Sequence, residues 1–238
     1  MNTISDVFSF NLARCGFLTT EDRISLDEAA NKNVSNVRAR SDLMCEGDRA
    51  QTVKVVLDGW VAAYKQLSDG HRQILALLLP GDMCAANAFV VERMDYSLGT
   101  LTPVRYAEIR REDFEELFEN NSRILRAFWW KEMVTASIQR EWTANVGQRL
   151  ATARIAHLFC ETHARLDCRN LARGNAIDFP LTQSDIGEAT GLTAVHVNRC
   201  MQSLRAEKLV ELRNRELILP NPERLRKIAM FDPAYLHA

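Results

Sequence analysis

Between Arg111 and Gly147 the chain holds neither glycine nor proline, and apolar residues recur through the stretch at helical intervals. That pattern predicts helix, and one much longer than a small domain normally uses. Ile124, Phe128, Thr135, Ile138 and Trp142 fall on one stripe, and Leu125, Trp129, Met133 and Ala136 fall on an adjacent one. Two apolar stripes offer more surface than one small neighbour can cover. One is therefore expected to lie on the chain's own N-terminal domain and the other against a second copy, coiled-coil fashion. We assign residues 113–149 to a dimerisation helix and the first stripe (Ile124, Phe128, Thr135, Ile138, Trp142) to the dimer interface.

The preceding residues are of the opposite kind. Short apolar or alternating runs at 53–57, 60–64, 74–79 and 104–109 are punctuated by Gly47-Asp48, Asp58-Gly59, Asp69-Gly70 and Gly81-Asp82. Glycine supplies positive φ and aspartate bonds back to the backbone, so these are turns between strands. Residues 1–112 are expected to form an N-terminal helical segment and a compact antiparallel β domain.

Composition narrows the class. An apolar share of 47% with 26% charged residues is that of a globular protein, neither disordered nor membrane-spanning. No run approaches the roughly 18 apolar residues of a membrane helix, and the first residues lack a basic start followed by an apolar core, so a cytoplasmic location is expected. The six cysteines (Cys15, Cys45, Cys84, Cys160, Cys168, Cys200) are scattered, without a C-x-x-C pair or a histidine at zinc-ligand spacing. They read as free, mostly apolar packing residues, and neither a metal site nor a cofactor is expected.

After a helix at 150–166, with Ile155, Leu158 and Phe159 on one face, and an exposed loop at 168–176, residues 177–219 carry the chemistry. Thr182-Gln183-Ser184-Asp185 has the form of a capping box. The helix it opens stops at Gly191, where a left-handed backbone costs nothing. Leu192 is then expected to be buried, Thr193 caps a second helix, and Val197, Cys200, Met201 and Leu204 repeat at helical spacing. Small Gly187, Gly191 four residues on and Val197 six beyond that have the spacing of a helix-turn-helix.

The second helix of such a unit enters the major groove, where base edges present distinguishable donors and acceptors. Arg199 is suited to a bidentate contact with guanine, Asn198 to adenine and Val195 to a thymine methyl. Thr182, Gln183, Thr193 and His196 lie near helix starts, where backbone phosphates are held. Two short strands around Arg213-Asn214-Arg215 form a hairpin with a basic tip, a wing, which adds Arg213, Arg215 and, from the second helix, Arg205 to the phosphate set. Asn221-Pro222 then opens a last helix ending near Met230. The whole-chain charge of -1 is no argument against DNA, because what matters is where the cations sit.

Taken together, Glu46-Gly47-Asp48, Asp58-Gly59, the run from Asp69-Gly70-His71 to Ile74, Leu79-Pro80-Gly81-Asp82, the long helix and residues 181–204 resemble the Crp/Fnr family over nearly the whole length. The resemblance implies an α+β chain: an N-terminal β-roll (a cyclic-nucleotide-binding-like jelly roll), a long dimerisation helix and a C-terminal winged helix-turn-helix at 150–238. It implies a homodimeric transcription regulator, an activator, bound to a palindromic operator and working with RNA polymerase. The matches are incomplete. Where cyclic-nucleotide-binding members carry Gly-Glu-Leu and an Arg-Ser or Arg-Thr pair, this chain has Met83-Cys84-Ala85-Ala86-Asn87 and Asp95-Tyr96-Ser97-Leu98, with Arg93 out of pattern. Cyclic AMP is therefore not expected as effector. Cys15 alone near the N-terminus does not supply the four thiolates of an iron-sulfur centre. Val195 stands where the family commonly has glutamate, four residues before the arginine, which removes an acceptor for cytosine and predicts a shifted operator preference.

Two other readings compete. A ligand-binding sensor acting through protein contacts would leave Arg213 and Arg215 no phosphate to track, and no nucleophile elbow, phosphate loop or zinc-protease pattern supports an enzyme. Cys200 reads as an inward packing residue rather than a redox switch, and His71 as a polar turn residue rather than a haem ligand.

Overall fold

The computed structural model describes residues 6–84, 90–119 and 121–237. Contacts divide the chain into two compact units, residues 1–68 with 76–133 and residues 69–75 with 134–238.

The first unit opens with helices α1 (Val7–Ala13) and α2 (Thr20–Lys32). Strands β1 (Val34–Val37), β2 (Asp42–Met44), β3 (Thr52–Asp58), β4 (Val61–Gln66), β5 (Arg72–Leu78, its residues through Leu75 counted with the second unit), β6 (Met83–Cys84), β7 (Ser97–Thr100) and β8 (Val104–Arg110) follow. They form two four-stranded sheets, ordered β1-β8-β3-β6 and β2-β7-β4-β5: the antiparallel β domain expected from the turns, in the form of the β-roll that the resemblance implies. Strand β3 is buried from Val53 to Leu57, and apolar there except at Lys54, because both of its faces are covered. Val53, Val55 and Leu57 pack with Phe8, Leu12, Leu26 and Ile109 in a cluster between sheet and helices. Val56 points the other way, into a cluster between the sheets with Val61, Ala63, Met94 and Leu98.

Gly81 is a turn residue that the packing of α1 requires to be glycine. Its φ is +88°, and a Cβ there would lie 2.7 Å from the Val7 carbonyl oxygen. The close approach carries α1 onto the turn, where Asn11 Nδ2 donates to the Gly81 carbonyl at 2.8 Å. Beside it Asp82 accepts from the Leu79 backbone N–H at 2.9 Å and from Lys131 Nζ at 2.7 Å, an ion pair withdrawn from water on both sides.

The glycine-free stretch holds two helices rather than one, α3 (Arg111–Glu119) and α4 (Ser122–Gln148). Asn121 Oδ1 accepts from the backbone N–H groups of Arg123 and Ile124, which satisfies donors at the start of α4 and explains the restart. The stripe assigned to the dimer is largely buried in the single chain. Ile124 and Phe128 are 1% and 5% exposed, and Phe128 meets Phe8, Phe114 and Phe118 edge to face. Ile138 and Trp142 are buried as well, and Thr135 is half-buried. In the first unit it is the adjacent stripe that faces water, with Leu125 45%, Trp129 65% and Met133 52% exposed. Periodicity identified two stripes, but which one turns inward was decided by the phenylalanines of α1 and α3.

The second unit contains the end of α4, α5 (Ala151–Asp167), β9 (Ala176–Asp178), α6 (Gln183–Thr190), α7 (Ala194–Ala206), β10 (Glu211–Arg213), β11 (Glu216–Ile218) and α8 (Pro222–Ala229), then a 3-10 turn at Pro233–Leu236. Helix α5 is buried nearly all round, with Ile155, Leu158 and Phe159 inside and Phe159 edge-on to Phe179 at 5.2 Å. Its buried Glu161 accepts from Trp142 Nε1 at 2.9 Å and from the Tyr235 hydroxyl at 2.7 Å. Trp142 is thus committed within its own chain. Arg169, expected in an exposed loop, is buried too.

His157, on α5, stacks on Tyr235 and places Nε2 3.2 Å from a Glu141 oxygen that Arg149 already holds at 2.6 Å. Burial pushes its pKa down to about 3, and the Arg149 cation adds to the shift. The unfolded chain therefore takes up this proton first. The stabilisation is complete above about pH 6.5 and is lost as pH falls toward 3. Between pH 7 and pH 4 the second unit is expected to lose on the order of 3 kcal/mol from this group. Urea melts at the two pH values, compared with His157→Phe, should show a flatter pH dependence in the variant. An unchanged dependence would assign the loss to other groups.

Candidate nucleic-acid interface

Helices α6 and α7 are built as their local code predicts. The Thr182 hydroxyl accepts from the Asp185 backbone N–H while Asp185 Oδ2 accepts from the Thr182 N–H at 2.8 Å, a complete capping box. Gly191 ends α6 at φ +67°. A Cβ on Gly187 would lie 2.4 Å from the Leu192 carbonyl oxygen, so the tight turn between the helices requires glycine there. Leu192 is half-buried rather than buried. The Thr193 hydroxyl accepts from the His196 N–H to cap α7. Val197, Cys200, Met201 and Leu204 are buried, which makes Cys200 a packing residue as expected.

The opposite face of α7 is exposed. Val195 is 74% exposed, and Ala194, His196, Arg199, Gln202 and Arg205 stand beside it in water, with Asn198 half-buried. Gln183, Ala194, Val195, Asn198, Arg199 and Gln202 line a shallow groove of about 430 Å³. Asn198 Nδ2 donates to Gln183 Oε1 at 3.3 Å, and Gln202 Nε2 donates to Asn198 Oδ1 at 2.9 Å. This chain of amides links the start of α6 to the second half of α7. Gln202 is the member of this chain that the base-contact and phosphate-contact sets leave out. The signal was its four-residue spacing from Asn198 on an exposed face.

The wing is a three-stranded sheet, β10-β11-β9, whose third strand, Ala176–Asp178, comes before α6 in the chain. Asn214 and Arg215 occupy its two-residue turn at φ +49° and +62°. Asparagine tolerates that conformation and arginine gains nothing from it, so the turn holds Arg215 at the tip against a local backbone preference.

Several arginines of this unit are held by carboxylates. Arg149 holds Glu141, Arg165 holds Glu161, Arg224 holds Glu207, and Arg173 bridges Asp178 and Glu216. Glu216 faces Arg213 across the wing but is engaged by Arg173. Arg199, Arg205, Arg213 and Arg215 carry no ion pair among the described residues, and all are exposed on the second helix and the wing. Of the other phosphate candidates, the Thr182 hydroxyl donates to Asp185 Oδ2 at 2.7 Å, so Gln183 offers the side-chain donor at this helix start. The Thr193 hydroxyl keeps its proton for an outside acceptor.

Two cations of the roll, among its described residues, are already engaged. Lys54, the cation on the inner side of β3, donates to Glu108 at 2.7 Å and Thr52 at 3.0 Å, and Arg93 donates to the Gly47 carbonyl at 2.8 Å. Tyr96 and Leu98 join the apolar cluster between the sheets. Ala85, Ala86 and Asn87 lie outside the described residues. Cys84 is buried, and burial raises its thiol pKa far above the ordinary range. His71 is an exposed turn residue whose backbone N–H donates to Asp69. Among the described residues no group of three or more histidine, cysteine or carboxylate side chains is placed to hold a metal, and no helix is long and apolar enough to cross a membrane.

These features have counterparts in known proteins. Residues 34–121 match the cyclic nucleotide-binding domain family and residues 153–228 the Crp-like helix-turn-helix domain family. The transcriptional activatory protein AadR of Rhodopseudomonas palustris is 28% identical over 93% of this chain and 88% of its own. The transcriptional activator protein FnrL of Cereibacter sphaeroides is 23% identical over 87% of this chain and 83% of its own. The structure of FixK2 from Bradyrhizobium japonicum superposes with a TM-score of 0.74 at 24% identity, covering 82% of this chain and 96% of that one. A roll and a winged helix-turn-helix in this order, matched by both family profiles and by relatives along most of the length, make the chain a DNA-binding transcription regulator of the Crp/Fnr family.

Proposed function

We propose that the protein acts as a homodimeric activator that reads a palindromic operator, with α7 of each copy in a major groove and RNA polymerase as its further partner. Arg199, Asn198 and Val195 meet base edges, and Gln183, Thr193, His196, Arg205, Arg213 and Arg215 meet phosphates. Thr182 contributes by holding the start of α6. The observation that carries this reading is that four arginines on the second helix and wing are exposed and unpaired, while neighbouring arginines hold carboxylates. Unpaired guanidinium groups on one surface match phosphate and guanine. The second copy packs on the Leu125, Trp129 and Met133 stripe, and the half-site centres are expected about 34 Å apart, one helical turn. Cyclic AMP is not expected as the effector, because the Arg-Ser or Arg-Thr pair of the nucleotide-binding members is missing and, among the described residues, Lys54 and Arg93 are already engaged.

The test is Arg199→Ala. Its affinity for the cognate operator is expected to fall by about 1–3 kcal/mol with preference relaxed at one base pair, measured by titration of matched and substituted duplexes. Equal affinity and equal selectivity would remove Arg199 from the base-reading set.

A further inference from the structure

We propose that Gln202 and Gln183 are positioning residues that fix the orientation of the Asn198 amide, and through it the base preferred next to the guanine read by Arg199. The inference rests on the base-reading role of α7 given above.

A side-chain amide has two donors on nitrogen and two acceptor sites on oxygen, and its two ends are nearly equal in shape. An unrestrained Asn198 would therefore present nitrogen or oxygen to a given spot with little preference. Here its oxygen is taken once by Gln202 Nε2 at 2.9 Å and its nitrogen gives one hydrogen to Gln183 Oε1 at 3.3 Å. One N–H and one lone pair remain, the pair that adenine N7 and N6 require. All donors in the chain run the same way, from Gln202 through Asn198 to Gln183, so each bond polarises the next. The Gln183 NH2 is left over at the start of α6, where it can donate to a phosphate. Turning the Asn198 amide over would set oxygen against oxygen at Gln183 unless that amide turned as well, and the Gln183 carbonyl would then face the phosphate. Operator contact at one end of the chain thus reinforces the amide orientation at the base-reading residue.

The experiment is selection from a random DNA pool with the full-length protein, its Gln202→Ala and Gln202→Glu variants, and Asn198→Ala. Gln202 is exposed, so its variants are expected to melt with the wild type. Gln202→Ala is expected to keep the guanine and the salt dependence but to lose about tenfold in discrimination at the position that Asn198→Ala also relaxes. Gln202→Glu can only accept from Asn198. It reverses the chain and is expected to enrich a different base there, an outcome that simple loss of helix stability would not produce. If the wild-type motif survives unchanged in both Gln202 variants while Asn198→Ala alters it, the positioning role is overturned and base reading stands. If the wild type enriches no motif, base reading fails and the positioning role fails with it.

Discussion

Trp129→Glu is expected to yield a folded monomer whose affinity for the full palindrome is lower by about 10²–10⁴-fold, because two linked half-site contacts become one. The ring is 65% exposed in the single chain, flanked by Leu125 and Met133 one turn to either side. A carboxylate there costs the isolated chain little, since nothing in its own core is disturbed. In a helix-to-helix contact the same carboxylate would be desolvated without a partner, which costs several kcal/mol and has no local remedy. Sedimentation velocity should show half the mass, single half-site affinity should be unchanged, and Trp129→Phe should remain dimeric. A Trp129→Glu protein that stays dimeric with wild-type operator affinity would place the interface elsewhere.

Lys131→Met should destabilise the first unit by about 3–5 kcal/mol, the usual cost of stripping one partner from a buried ion pair. Lys131 and Asp82 are 7% and 4% exposed as side chains and meet at 2.7 Å. Asp82 also accepts the Leu79 N–H, which closes the Pro80-Gly81 turn on which α1 rests. Methionine keeps the volume of the lysine stem but leaves the carboxylate buried without its cation. Adding Asp82→Asn removes that charge, so the double variant should recover part of the loss, and a thermal double-mutant cycle would read the coupling directly. Additive losses would show that the two side chains act independently.

Much of the DNA-binding surface was legible because its code is local. A capping box needs only Thr182 and Asp185 three residues apart, the stop at Gly191 needs one left-handed residue, and the buried face of α7 is written in the spacing of Val197, Cys200, Met201 and Leu204. The strands of the roll were legible for the same reason, through turn residues and apolar runs. The break between α3 and α4 was also present in the sequence, in Asn121 and Ser122, but a helical period carried across it hides a cap. Strand β9 could not be read, because three residues become a strand only by pairing with Glu216, Leu217 and Ile218 far along the chain.

By itself the sequence determined the order of roll, long helix and winged helix-turn-helix, and which face of α7 meets water, since each follows from contacts between residues a few positions apart. The tertiary structure decided what depends on partners distant in the chain. Phe8, Phe114 and Phe118 drew the Ile124–Phe128 stripe into the core and left Trp129 outside. Arg173 drew Glu216 away from Arg213, leaving the wing cation unpaired. Gln183, on α6, reached Asn198 on α7. Burial and ion pairing are properties of neighbours in space, and periodicity carries no record of which of two suitable neighbours arrives.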